Sequence, residues 1–165
     1  MSVPRVFRHL LLTRWQLERA FPRAALLAIE QEIEASEAMH AGQIRFVVEG
    51  ALDGAPLFRG QTARERAIEL FSLLRVWDTE HNCGVLIYLL LADRDVEIVA
   101  DRGIHAKLGT AEWERICRQM EVAFRQADYA GGALGGIRAV TRHLVDQFPA
   151  SGSSRNELPN QAVVL

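Results

Sequence analysis

Between Gly84 and Ala92 nearly every residue is apolar, so a strand there is apolar on both faces. Such a strand must be covered on both sides, which predicts the central strand of a layered domain. After the break Ala92-Asp93-Arg94-Asp95, Val96, Ile98 and Ala100 alternate with Glu97, Val99 and Asp101. Period-two alternation predicts a half-buried strand, and so short a break joins antiparallel neighbours, so 84–101 reads as a hairpin. Upstream, Ile44, Phe46 and Val48 mark a strand over 43–48. Between the two strands, Thr62-x-x-Glu65 is a capping box opening a helix with Ala67, Leu70, Phe71, Leu74 and Trp77 on one face. A strand–helix–strand unit of this kind predicts parallel strands and a right-handed crossover.

Helical spacing covers most of the remainder. Val6, Leu10, Thr13, Leu17 and Phe21 share one face over 4–21 with arginines opposite, and Thr13-x-x-Gln16 marks a break within that stretch. Pro22 suits the first position of a second helix, lined by Leu26, Ile29 and Ile33 and rich in acids (Glu30, Glu32, Glu34, Glu37) toward its end. Residues 53–56 read as loop. Thr110 is placed to cap a helix with the stripe Trp113, Ile116, Cys117, Met120 and Phe124. The glycine-rich stretch 128–136 reads as a turn into a last helix with Ile137, Val140, Leu144 and Phe148 inward, and the polar stretch from 151 onward as a disordered tail. The predicted fold class is α/β: a three-layer α/β/α sandwich whose small, mostly parallel sheet carries an antiparallel hairpin. The layout is a basic helical segment over 1–40 packed on the domain, the α/β domain over 41–149, and a tail over 150–165.

Charge changes the picture at one place. The chain of 165 residues carries a formal net charge of −2, which argues against a dedicated nucleic-acid binder. Arg5, Arg8, Arg14, Arg19 and Arg23 nevertheless crowd the first segment with only Glu18 against them. Two readings are open for this basic amphipathic helix: it docks on the core of its own domain, or it meets an acidic membrane or a protein partner. No stretch reaches the ~20 apolar residues that span a bilayer, and Leu10-Leu11-Leu12 is too short for a signal-peptide core. The expected location is therefore cytoplasmic. Cys83 and Cys117 fit no metal spacing and read as buried thiols.

Catalytic motifs are absent: there is no His-Glu-x-x-His, no Gly-x-Ser-x-Gly, and the glycines at 131–136 lack the Gly-Lys-Ser/Thr of a P-loop. Carboxylates at the hairpin ends remain. Asp78, Glu80 and Asn82 precede the central strand and Asp101 follows its partner, so an antiparallel pair brings them to one end of the sheet. Asp93 and Asp95 fall at the other end. Convergent oxygens on loops bind hard cations, so Asp78, Glu80, Asn82 and Asp101, with Asp128 joining from the later turn, form a candidate site for Ca²⁺ or Mg²⁺. The competing reading is that these acids are turn and cap residues neutralised by Arg94 and Arg102.

The central stretch resembles the TPM-domain family, which includes thylakoid-lumen proteins tied to photosystem II repair and many bacterial homologues. The matching residues are Trp77, Asn82-Cys83-Gly84-Val85-Leu86-Ile87, Asp93-Arg94-Asp95-Val96-Glu97-Ile98 and Gly103-Ile104. Trp113, Ile116, Met120, Phe124, Asp128-Tyr129, Gly131-Gly132 and Gly135 to Ile137 continue the match, for an extent of roughly 40–148. The resemblance implies a sandwich with helices on both faces of the sheet. It also implies one of two roles: an interaction or regulatory module with a protein partner, or a divalent-ion-dependent acid phosphatase. Calcium is the ion it implies, and no organic cofactor. Cys83 stands where a second Asn is frequent in the family, and the first forty residues lack the family's early Asp, which points to a cytosolic subgroup of interaction modules. Peripheral membrane contact through the basic helix is the accompanying expectation.

Overall fold

The computed structural model describes residues 3–150 and 156–165. Its centre is a four-stranded sheet of order β3-β2-β1-β4, built from β1 (Gln43–Glu49), β2 (Gly84–Leu90), β3 (Asp95–Ala100) and β4 (Val163–Val164). β1 and β2 are parallel, Ile44 opposite Val85 and Val48 opposite Leu89, and β2 and β3 form the antiparallel hairpin, Ile87 opposite Ile98. Every residue of β1 and β2 is buried, as strands covered on both faces must be.

Alternate residues feed two cores. On one face Ile44, Phe46, Val85, Ile87, Leu89 and Ile98 pack with α3 (Arg23–Glu37), α7 (Thr110–Arg125) and α8 (Tyr129–Gln147) through Ile29, Ile33, Ile116, Met120, Ile137 and Val140. On the other, Val47, Leu86, Tyr88 and Leu90 pack with α4 (Gly54–Phe58) and α5 (Ala63–Leu73) through Leu57, Ala67 and Leu70. This is the three-layer sandwich that the apolar pattern predicts. The Thr62–Glu65 capping box forms in full and fixes the start of α5. Gly84 is required where β2 begins, because a Cβ there would collide with the Val76 carbonyl.

Several expectations are corrected. Residues 4–21 divide at the expected Thr13–Gln16 capping box into α1 (Val3–Leu11) and α2 (Arg14–Ala20), but Leu10 points outward while Leu17 and Phe21 join the core. The glycines of 128–136 lie inside α8, where Asp128 caps the helix by accepting from the Gly131 N–H at 3.0 Å. Gly132 and Gly136 stay small because they face the Phe124 ring and the Met120 sulfur, so that α7 and α8 pack closely. Gly109, at φ +76°, takes the cap position expected for Thr110, and Trp77 is exposed rather than inward because α5 ends at Leu73. Residues 54–56, within the stretch read as loop, open α4, whose Leu57 is buried.

The predicted disordered tail is also corrected for 156–165, while 151–155 lie outside the described residues. Val163 and Val164 pair in parallel with Val47 and Val48, and Leu158 is buried in the second core. Polar side chains hold the segment: Gln43 Oε1 accepts from the Glu157 and Leu158 N–H groups, both at 2.9 Å, and Arg45 donates to the Pro159 and Gln161 carbonyls. The tail satisfies an edge of β1 that would otherwise stand open.

Candidate functional site

At one end of the sheet the structure brings Asn82 and Asp101 together. Asn82 sits at φ +51°, a left-handed conformation that Asn tolerates, and its carbonyl accepts from the Gly103 N–H at 2.9 Å. Its side-chain Oδ1 accepts from Arg102 Nε and Nη2 at 3.2 and 3.1 Å. Asp101 caps α6 (Arg102–Leu108) by accepting from the Arg102 N–H at 2.7 Å, and its other oxygen is buried without a partner. Glu80 is exposed and gives its backbone N–H to the Glu157 carboxylate at 3.1 Å, and Asp78 is exposed with no side-chain bond among the described residues.

Asp128 is elsewhere. Its neighbours Ala127 and Tyr129 line a cleft together with Asp93 and Arg94 of the β2–β3 turn, at the far end of β2. Of the five predicted ligands, only the orphan oxygen of Asp101 offers an unclaimed inward donor, because Arg102 already holds Asn82. No three His, Cys, Asp or Glu side chains converge as a metal-holding group among the described residues. The set does not fit a Ca²⁺ or Mg²⁺ ion, which takes six or more oxygens. The thiols offer no nucleophile either: burial pushes Cys83 up to about 11 and Cys117 up to about 12.

The stronger constellation is at the β2–β3 turn. Asp93 accepts from Arg5 Nε at 2.8 Å and Arg8 Nη2 at 2.9 Å, and its Oδ2 lies 3.1 Å from His9 Nε2. His9 Nδ1 accepts from the Leu52 N–H at 3.0 Å, so in the neutral ring the proton sits on Nε2, toward Asp93. Burial alone would raise the Asp93 pKa, but the hydrogen bonds from Arg5 and His9 outweigh it and hold the carboxyl below its ordinary value.

This clamp dictates the orientation of α1. Arg5 and His9, one turn apart, face inward, and the opposite face carries Val3, Phe7, Leu10 and Leu11, which are 70, 58, 61 and 71% exposed. Their spacing of i, i+4, i+7 and i+8 places them on one stripe of the helix. Trp15, at the start of α2, adds a fifth exposed apolar side chain at 63%, with the Arg19 guanidinium 5.3 Å above its ring. α1 is therefore inverted: apart from Val6, which packs on the second core, its inward face is polar and its outward face apolar. Beneath Leu11 and Trp15 opens the cleft of about 970 Å³ whose charged lining includes Arg8, Arg19 and Arg94.

This architecture is that of a small α/β/α domain whose first two helices form a basic–apolar pair. The TPM-domain pattern matches residues 17–143, and the chain belongs to that family. Its fold is shared with the BA42 protein of the psychrophilic bacterium Bizionia argentinensis, at a TM-score of 0.74 and 25% identity, covering 86% of this chain and 93% of that one. It is also shared with the N-terminal domain of a P. gingivalis protein, at a TM-score of 0.61 and 22% identity, over 76 and 77% of the two chains. No curated protein sequence matches the chain. The family match begins at Leu17, so α1 lies outside it and α2 straddles its start.

The sequence reading put Leu10 inside and passed over Phe7, Leu11 and Trp15. The stripe Val3, Phe7, Leu10, Leu11 was visible as a second apolar face. Only the clamp on Asp93 decides between the faces, and that contact joins residues 88 positions apart.

Proposed function

We propose that this TPM-domain chain acts as a non-catalytic interaction module, with the outward face of α1 and the start of α2 as its contact surface. The observation that carries this reading is the inversion of α1. A helix that serves only its own fold turns its apolar face to the core, and an apolar stripe held toward solvent by a charged clamp marks a surface kept for another body. The strand-end carboxylates give no comparable support to a phosphomonoesterase, since an ion there would lack ligands. The test is to replace Phe7, Leu10 and Leu11 together by Ser and compare thermal unfolding with the parent chain. For a contact surface, stability stays within about 0.5 kcal/mol per site, and binding of an apolar-surface dye to the native protein falls. A drop in Tm of many degrees would make the stripe part of the fold and sink the reading.

A further inference from the structure

We infer that the α1–α2 surface docks on an anionic lipid bilayer, Phe7, Leu10, Leu11 and Trp15 entering the headgroup layer while Arg14 and Arg19 meet lipid phosphates. The inference rests on the interaction reading above and names the partner.

Charge complementarity selects the bilayer. The chain is net negative, yet its first 23 residues hold five arginines, named above, against the single acid Glu18. Arg5 and Arg8 are both spent on Asp93, whereas Arg14 is well exposed beside the apolar stripe and Arg19 lies at the surface over the Trp15 ring. Arg14 pairs only with Glu18 at the surface, at 3.1 Å, an exposed contact that a phosphate can replace at little cost. Arginine carries its charge on a long stem, so the guanidinium can stay at the phosphate level while neighbouring apolar side chains sink below it. Tryptophan, leucine and phenylalanine on one face with arginines at its border are the composition of helices that lie in the interface plane.

Geometry agrees. No helix among the described residues is long and apolar enough to cross a membrane, so contact is peripheral. α1 and α2 border the β2–β3 turn, and the cleft below Leu11 and Trp15, lined by Arg19 and Arg94 beside the Arg8–Asp93 pair, has room for a phosphate and its glycerol. Because α1 is pinned by Arg5, Arg8 and His9 to Asp93, the face is formed before contact and need not be ordered by it.

The experiment is co-sedimentation of the full chain with vesicles of phosphatidylcholine, and of phosphatidylcholine with about one third phosphatidylglycerol, together with the emission of Trp15. The expected result is roughly tenfold or greater preference for the anionic vesicles, weakened by high salt, with a blue shift that a Trp15→Phe variant loses. Phe7→Ser/Leu11→Ser and Arg14→Glu/Arg19→Glu variants, folded by circular dichroism, should each lose most of the pelleting. Equal pelleting with both vesicles, or none with either, overturns the lipid assignment. If pelleting is absent while the Ser-substituted stripe leaves Tm unchanged, the interaction reading stands with a protein partner in place of the bilayer. If those substitutions unfold the chain, both readings fall.

Discussion

α7 and α1 are both amphipathic, and they are mounted opposite ways round. α7 turns Trp113, Ile116, Met120 and Phe124 to the sheet and leaves Arg118 and Arg125 outside, paired along the helix with Glu114 and Glu121. α1 turns Arg5 and His9 inward and leaves its leucines outside. An apolar stripe reveals that a helix has two faces. Which face goes in depends on the surface it meets, and α7 meets apolar strand residues where α1 meets a carboxylate. A half-buried Asp93 without partners would be costly, and a helix bringing two arginines and a histidine N–H offsets that cost.

The comparison can be broken from either side. Phe124→Ala, in the buried stripe of α7 and stacked on Tyr129 at 5.7 Å, should lower unfolding stability by about 3–5 kcal/mol in urea titration. A loss under about 1 kcal/mol would mean that the α7 face contributes no more than an exposed one. Asp93→Ala should cost roughly 3 kcal/mol, since it leaves the largely buried Arg5 uncompensated and His9 Nε2 without its neighbour, and should release α1 as extra amide exchange over residues 3–11. Asp93 titrates below its ordinary value when folded, so its stabilisation is complete above about pH 4 and fades as pH falls toward the folded pKa. The acid limb of a stability–pH curve should therefore be shallower in Asp93→Ala.

Glu37 sharpens the comparison, because it is a buried carboxylate that forms no ion pair among the described residues, and Arg45 nearby lowers its pKa by less than burial raises it. It accepts from the Ile44 N–H at 3.1 Å, and burial raises it to about 7. The folded chain thus holds a proton that the unfolded chain has lost. Stability is fullest below about pH 4.5 and declines by on the order of 2 kcal/mol as pH rises through about 7. Glu37→Gln should flatten that slope, and an unchanged slope would show that the group is solvated. The smallest effect is the near-zero cost expected for removing the α1 stripe, and its contrast with Phe124→Ala measures how different the two helices are.

Much of this was legible along the chain. The doubly apolar run at 84–90, the alternation at 95–100 and the Thr62–Glu65 box each encode their element locally, and the sheet follows from them. The candidate ion site was half legible: Asn82 and Asp101 do meet at one end of the sheet, because antiparallel pairing requires it. Arg102 occupying Asn82 and Asp128 lying at the other end are facts of side-chain direction and helix placement, which spacing does not carry. The edge strand at 163–164 was illegible for a related reason. Two valines after a polar stretch gain strand character only from β1, and the side chains of Gln43 and Arg45 that hold the segment belong to that distant strand.

That last strand has a consequence for how the chain reaches its native state. Arg45 and Gln161, which meet in the finished edge, are 116 residues apart, so the edge of β1 closes through one of the longest loops available to the chain. Until it closes, the edge of β1 presents unpaired amides and carbonyls to whatever other chain is nearby. The species most prone to clump during refolding is thus one whose sheet core has formed while residues 156–165 are still undocked, and dilution, which slows encounters between chains but not the closing of a chain on itself, is the condition that favours its recovery.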